Sequence, residues 1–307
     1  MDMSMLSVTM NVSAPVLIMI FLGTALRYFN VITDEFLKSG SKFVFYVSMP
    51  ALLFITMSNA KLDEHINGGF LFFFAFAILA TCLVSFYISK IVGIEGKDRW
   101  IFSQVSFRGN CGIYSFALSA SMFGEQGLVI GGVLASLSTF MFNIIAETTL
   151  GSKGNFFQSF KSVFKNPMVL SVCVGFMFSL FEIRVPGLVY QVADHVGSVS
   201  FPVALICVGG ALATSKLKVE YREWIAISIK VFLSPFLFIM GAFLLGFSNK
   251  ELAYLFIFLS APTAASAYVA AIAHGNDGVS TANSIAVSTV IASVLMLLLS
   301  PLILSIS

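Results

Sequence analysis

Residues 106–115 read Ser106-Phe107-Arg108-Gly109-Asn110-Cys111-Gly112-Ile113-Tyr114-Ser115, and residues 259–268 read Leu259-Ser260-Ala261-Pro262-Thr263-Ala264-Ala265-Ser266-Ala267-Tyr268. Each stretch interrupts a long apolar run with residues that a continuous spanning helix disfavours. Gly109 and Gly112 permit unwound backbone, while Pro262 removes a donor and frees an upstream carbonyl. Asn110 and Pro262 each lie about ten residues, or roughly 15 Å at helical rise, from one end of their runs, near the middle of a bilayer. Broken backbone at that depth survives only where it is buried in protein or lines a polar cavity. Half-helix N-termini directed at the centre carry partial positive charge and free N–H groups, a natural seat for a carboxylate. Two breaks that cross would form a pocket lined by Asn110, Tyr114, Ser115, Thr263, Ser266 and Tyr268, with Gly109, Gly112 and Pro262 as the hinge. A kink serving packing alone is the plainer alternative for either break taken singly.

Working outward, the whole chain has the composition of a lipid-solvated protein. Of 307 residues, 58% are hydrophobic and 10% are Asp, Glu, Lys or Arg, against about 25% charged in soluble domains. Phe alone contributes 33 residues. Spans of roughly 20 apolar residues fill most of the length and leave no room for a separate soluble domain. Ten spans are predicted, near 11–29, 43–60, 68–92, 100–123, 127–147, 166–183, 196–214, 222–247, 252–274 and 279–305. The N-terminus carries Asp2 and no Lys or Arg before the first apolar run. That is unlike the basic start of a secretory signal, so the first span is expected to be retained.

Basic residues orient the spans. One set of alternating connections holds twelve: Arg27, Lys38, Lys42, Lys90, Lys97, Arg99, Lys153, Lys161, Lys165, Lys216, Lys218 and Arg222. The opposite set holds three, Lys61, Arg184 and Lys250. This bias places both termini outside a cell membrane.

The halves echo one another at an offset of about 152 residues. Ala14-Pro15 with Gly23 matches Asn166-Pro167 with Gly175, and Ser48-Met49-Pro50 matches Ser200-Phe201-Pro202. Gly124-Glu125-Gln126-Gly127 matches Gly275-Asn276-Asp277-Gly278. Five spans per repeat is an odd number, so the second copy must cross the membrane in the opposite sense. The expectation is an all-α membrane protein of two inverted five-helix repeats, residues 1–151 and 152–307, broken in the fourth and ninth spans. Inverted repeats of this kind characterise secondary transporters.

Two basic residues, Arg108 and Lys230, fall inside spans. Charge at that depth is costly and marks a functional candidate. Arg108 could balance an anion, snorkel to the interface or pair with Glu147. Lys230 is a snorkelling residue or a coupling group. Glu147, one turn after Asn143, is a coupling acid or an interfacial carboxylate. Cys82, Cys111, Cys173 and Cys207 lie in spans without metal-ligand spacing, as buried apolar residues would. His65, His195 and His274 fall at span ends or in loops. No metal and no cofactor is indicated.

At these motifs the chain resembles the auxin efflux carrier family, in particular its short bacterial permeases. The resemblance runs over nearly the whole length. It covers the Pro15 to Gly23 spacing, Ser48-x-Pro50, and Arg108-Gly109-Asn110-x-Gly112 leading to Phe123-Gly124-Glu125-Gln126-Gly127. It continues through Lys165-Asn166-Pro167, Pro202 to Leu212, and Ala261-Pro262-Thr263-Ala264-Ala265-x-Ala267-Tyr268. It implies a ten-helix fold shared with bile-acid sodium symporters. That fold has a scaffold domain from spans 1, 2, 6 and 7 and a transport domain from spans 3–5 and 8–10, whose broken helices cross at the substrate. It also implies a homodimer through the scaffold, and small organic acids such as malonate or malate as substrates. In the plant members the fourth-span break resembles Asn-Pro-Asn-x-Tyr-Ser. Here Asn110, Tyr114 and Ser115 match, while Cys111 replaces the proline and Gly112 the second asparagine, which departs from the auxin pattern. The long cytoplasmic loop of many plant members is absent too.

The function expected is therefore alternating-access transport of a small organic anion, with the lipid bilayer as the other partner and no role for nucleic acid. A channel would want a continuous polar stripe or charged ring. An intramembrane enzyme would want a His-Glu-x-x-His, a paired acidic motif or a Gly-x-Ser-x-Gly, and the sequence has none of these.

Overall fold

The structure, a computed structural model, describes residues 18–59, 67–96, 98–150, 167–214, 219–264, 266–268, 271 and 279–306. Its described elements are helices: α1 (Ile18–Tyr28), α2 (Asp34–Asn59), α3 (Gly68–Ile91), α4 (Asp98–Phe107), α5 (111–123), α6 (125–150), α7 (Pro167–Leu180), α8 (Gly187–Ser198), α9 (Ser200–Thr214), α10 (Tyr221–Leu244), α11 (Asn249–Leu259) and α12 (Val279–Ile306). The described residues contain no β-strand, only one antiparallel bridge between Gly109 and Thr263. Six stretches are long and apolar enough to cross a membrane: α2, α3, Cys111–Phe142 across α5 and α6, Gly187–Gly210 across α8 and α9, α10, and Ser280–Leu299 within α12. Of the ten predicted spans, the first and sixth have shorter apolar stretches among the described residues, Ile18–Tyr28 and Leu170–Leu180, and the fourth and ninth fall short because α4 stops at Phe107 and α11 at Leu259.

α2 begins at Asp34, nearer the N-terminus than the span predicted from residue 43. The cause is local: Thr33 caps the helix by accepting from the Phe36 N–H, and Asp34 and Glu35 sit in the first turn, where carboxylates favour the positive helix end. Apolarity alone does not register such a polar, fully unburied start. Prolines shape three helices. Pro50 follows a widened π-turn at 44–48 and Pro235 another at 229–233, while Pro202 follows the interruption at Val199 that separates α8 from α9. A proline withholds one N–H from the ladder, and a widened turn takes up the slack.

Close crossings at glycine draw α1, α2, α7 and α9 together. A Cβ at Gly23 would lie 2.2 Å from the Ile206 carbonyl oxygen, and one at Gly209 1.8 Å from that of Ile20. The Thr24 hydroxyl donates to the Gly209 carbonyl at 2.9 Å across this contact. Gly175 plays the same part between α7 and α2, where a Cβ would come within 2.7 Å of the Phe54 carbonyl oxygen. Small residues let membrane helices approach in this way, since lipid gives no hydrophobic drive for association.

α3, α4, α5, α6, α10, α11 and α12 surround a core that includes Phe74, Phe116, Tyr254, Leu255 and Phe258, all fully buried. The Phe74 and Phe258 rings meet edge to face at 5.9 Å, and Phe116 of α5 meets Phe201 of α9 at 5.2 Å. The outer surface is apolar as well: Phe72 is 78% exposed, and Leu188, Phe236 and Leu244 are exposed too. An apolar surface this continuous requires lipid. At one end Asn67 donates to Glu251 at 3.0 Å and Lys250 to Gln126 at 3.2 Å, gathering the starts of α3, α6 and α11. At the other, Arg222 donates to the Gly93 carbonyl and Arg99 to that of Ile94.

Candidate functional site

A helix that stops inside the membrane leaves its last carbonyls without intrahelical donors, and hydrocarbon offers no substitute. The ends of α4 and α11 are satisfied by each other's continuations. Residues 108–110 and 262–264 run antiparallel: the Asn110 N–H donates to the Pro262 carbonyl at 2.8 Å, and the Ala264 N–H to the Arg108 carbonyl at 3.0 Å. The two breaks predicted from glycine and proline thus pair directly.

The last four carbonyls of α11 are each accounted for. Phe256 accepts from the Ser260 N–H and hydroxyl, Ile257 from the Ser115 hydroxyl at 2.8 Å, Phe258 from the Cys111 thiol at 3.6 Å, and Leu259 from Lys230 Nζ at 2.8 Å. Phe258 is the carbonyl that a helical N–H at position 262 would have engaged, so the Cys111 thiol takes the place that Pro262 leaves empty. At α4, the Gln104 carbonyl accepts from the Arg108 N–H at 3.1 Å and Val105 from the Thr263 hydroxyl at 2.9 Å. The Thr263 N–H donates to Ser288 of α12 at 3.0 Å. α5 then starts from Asn110, whose carbonyl accepts from the Tyr114 N–H at 2.9 Å.

Two cations stand at these ends. Arg108, 6% exposed, donates from Nε to the Ser266 hydroxyl at 2.8 Å, and from Nη1 to Gln104 and to the Phe142 carbonyl, both at 3.2 Å. Its guanidinium also lies 5.8 Å from the Phe142 ring centroid. Lys230, 3% exposed, extends from the widened turn of α10 to the end of α11. Both charges sit where helix dipoles end negative.

The predicted residues divide by environment. Asn110 and Gly112 are half-buried, while Ser266 and Tyr268 are exposed. The Asn110 carboxamide makes no hydrogen bond among the described residues. Tyr114, Ser115 and Thr263 are buried, with the Tyr114 hydroxyl 3.4 Å from Ser293 and the other two hydroxyls committed to backbone carbonyls. Gly109 and Pro262 are buried within the pairing itself. Glu147 belongs to α6, but its side chain, like that of Asn143, lies outside the described residues, and so does the Arg108–Glu147 pair. Sequence reading missed Gln104, Ser260, Ser288 and Ser293. A signal existed for α12, since Thr281, Ser284 and Ser288 recur at helical spacing on one buried face. Among the described residues no cluster of His, Cys, Asp or Glu could hold a metal.

One cleft opens at each end of these helices. The wider, about 720 Å³, is walled by α4, α10 and α12 and reaches Val105 and Ser284. The narrower, about 160 Å³, is walled by α3, α6 and α11. Asn67, Phe70, Ile130, Lys250 and Tyr254 in the narrow cleft correspond in sequence position, at an offset of 152 to 154 residues, to Glu220, Glu223, Ser284, Asp98 and Phe102 in the wide one.

The membrane transport protein family matches the chain over residues 8–153 and 155–300. A protein of Methanothermobacter thermautotrophicus described as an uncharacterized transporter is 22% identical over 291 residues, covering 91% of this chain and 93% of its own. Another uncharacterized transporter, from Methanocaldococcus jannaschii, is 22% identical over 228 residues, covering 69% of this chain and 71% of its own.

Proposed function

We propose that this chain, which belongs to the membrane transport protein family, carries a small organic anion by alternating access at the crossing of its two broken helices. Its membership bears out the resemblance to the auxin efflux carriers. It is a multi-pass, all-helical membrane transporter.

The architecture that goes with this function has ten spans: α1, α2, α3, α4 with α5, α6, α7, α8 with α9, α10, α11 with the residues beyond its break, and α12. Residues 1–151 and 152–307 form inverted repeats with both termini outside. Three features support the inversion. Gly23 and Gly175 make equivalent crossings, α3 and α10 are each 24 residues long, and the two clefts are lined at matching positions. The scaffold comprises α1, α2 and α7–α9, and the transport unit the remaining helices.

Within the crossing, Arg108, Asn110, Ser266 and Tyr268 contact the anion. Arg108 supplies charge, and the Asn110 carboxamide, with no hydrogen bond among the described residues, and the exposed Ser266 and Tyr268 supply donors. Tyr114, Ser115 and Thr263 hold the frame, while Gly109, Gly112 and Pro262 form the hinge. The observation that carries this reading is the buried Arg108 guanidinium bonded to Ser266 across a pairing of two unwound segments. A charge held at this depth beside exposed hydroxyls marks a functional candidate suited to an anion.

The test is uptake and efflux of labelled malonate, malate and indole-3-acetate in proteoliposomes under imposed pH and voltage gradients. Saturable, gradient-sensitive flux of one acid is expected. Absence of flux for all of them would remove the organic-anion assignment.

A further inference from the structure

We propose that the wide cleft between α4, α10 and α12 is a binding site for an organic cation, an ammonium carried on a short apolar body. The cleft encloses about 720 Å³ and is separate from the crossing: neither Arg108 nor its partners Gln104, Phe142 and Ser266 line it. Its described lining holds four carboxylates against one cation, Arg222, which donates to the Gly93 carbonyl. Three of the carboxylates, Glu95, Asp98 and Glu220, are exposed; the fourth, Glu223, is 9% exposed. Behind them the walls are apolar, formed by Ile101, Phe102, Val105 and Ala226.

Two buried polar side chains line this space without the partners they call for. Glu223 accepts the Glu220 N–H at 2.7 Å through Oε2, yet among the described residues no basic group lies within ion-pair distance of its carboxylate. Glutamate is almost never buried without a counter-charge. Ser284 is fully buried, and its hydroxyl has no hydrogen-bond partner, where a buried hydroxyl normally has one. An ammonium answers both needs, since it brings positive charge and several N–H donors, and an apolar body fits the walls. A bare metal ion does not, because among the described residues no carboxylates gather closely enough to hold one. The narrow cleft has no equivalent seat. Its carboxylate, Glu251, is already engaged by Asn67 and Ser248.

The experiment is calorimetric titration of the purified full chain in detergent with n-butylammonium, with n-butanol and n-butyl sulfate as its neutral and anionic counterparts. Saturable binding of the ammonium alone, one per chain, is expected. Glu223→Gln removes the charge but keeps an acceptor for the start of α10. It should weaken binding at least about tenfold, the equivalent of one charge-assisted hydrogen bond. Ser284→Ala should weaken it less, and Glu182→Gln, in the exposed turn between α7 and α8, should leave it unchanged. No saturable binding of the ammonium, butanol or butyl sulfate binding as tightly, or undiminished binding by Glu223→Gln would each overturn the proposal. If Glu223→Gln does not fold, the exposed pair Glu95→Gln and Glu220→Gln decides: weakened binding supports the site and unchanged binding removes it. The titration reads binding alone, so its outcome stands whether or not the crossing carries an organic anion.

Discussion

Replacing Gly109 with alanine puts a methyl group 2.8 Å from Lys230 Nζ and 3.2 Å from both Lys230 Cε and Cys111 Sγ. Non-bonded heavy atoms settle at roughly 3.5–4.0 Å, so the ammonium must retreat by about 0.7 Å or more. A retreat along the line from Leu259 stretches their 2.8 Å hydrogen bond to about 3.5 Å, outside bonding range. The loss of a charged hydrogen bond, with a buried carbonyl left unmet, costs about 1.5–3 kcal/mol. That lowers the population of assembled sites roughly ten- to a hundredfold. The assay is a double-mutant cycle on flux and on thermal unfolding in detergent, comparing Gly109→Ala in wild type and in Lys230→Ala. With the side chain already truncated the methyl meets nothing from Lys230, so the second Gly109→Ala step should cost little. Additive losses would show that Gly109 is required for its backbone alone and refute the reasoning.

Arg108→Gln should weaken anion binding while leaving membrane insertion intact; an unchanged affinity would assign the guanidinium to structure. Thr263→Val keeps the shape but deletes the 2.9 Å bond to the Val105 carbonyl, and should cost about 1–3 kcal/mol, read as a lower unfolding midpoint. Gly23→Leu should prevent α1 from reaching α9, since even a Cβ meets the Ile206 carbonyl at 2.2 Å; loss of folded protein in detergent chromatography is the expected outcome.

Much of this architecture was legible in the chain because it depends on residues that act locally. Gly109 and Pro262 stand where α4 and α11 have ended, whereas Gly112 lies within α5, so of the three expected breakers two mark the interruptions. Pro15, Gly23, Pro167 and Gly175 carry the repeat in their spacing. The ties that hold the breaks were not legible. Ser115 and Thr263 look like pocket hydroxyls in sequence, yet their partners, Ile257 and Val105, are backbone carbonyls about 150 residues away, and a carbonyl has no sequence signature. Lys230 presented the same ambiguity: snorkelling and capping a foreign helix use the same residue at the same depth. The Asp34 start of α2 escaped because its cap is polar and an apolar window averages it away.

The most direct test of the crossing as the anion site is substrate protection of Ser266→Cys in a Cys173→Ser background, which removes the exposed native thiol. Position 266 is exposed and adjoins the Arg108 guanidinium. A charged thiol reagent should label it, and any anion the protein transports should block labelling with a half-protecting concentration near that anion's KM. Labelling that proceeds at the same rate whether or not a transported anion saturates the protein would contradict the account.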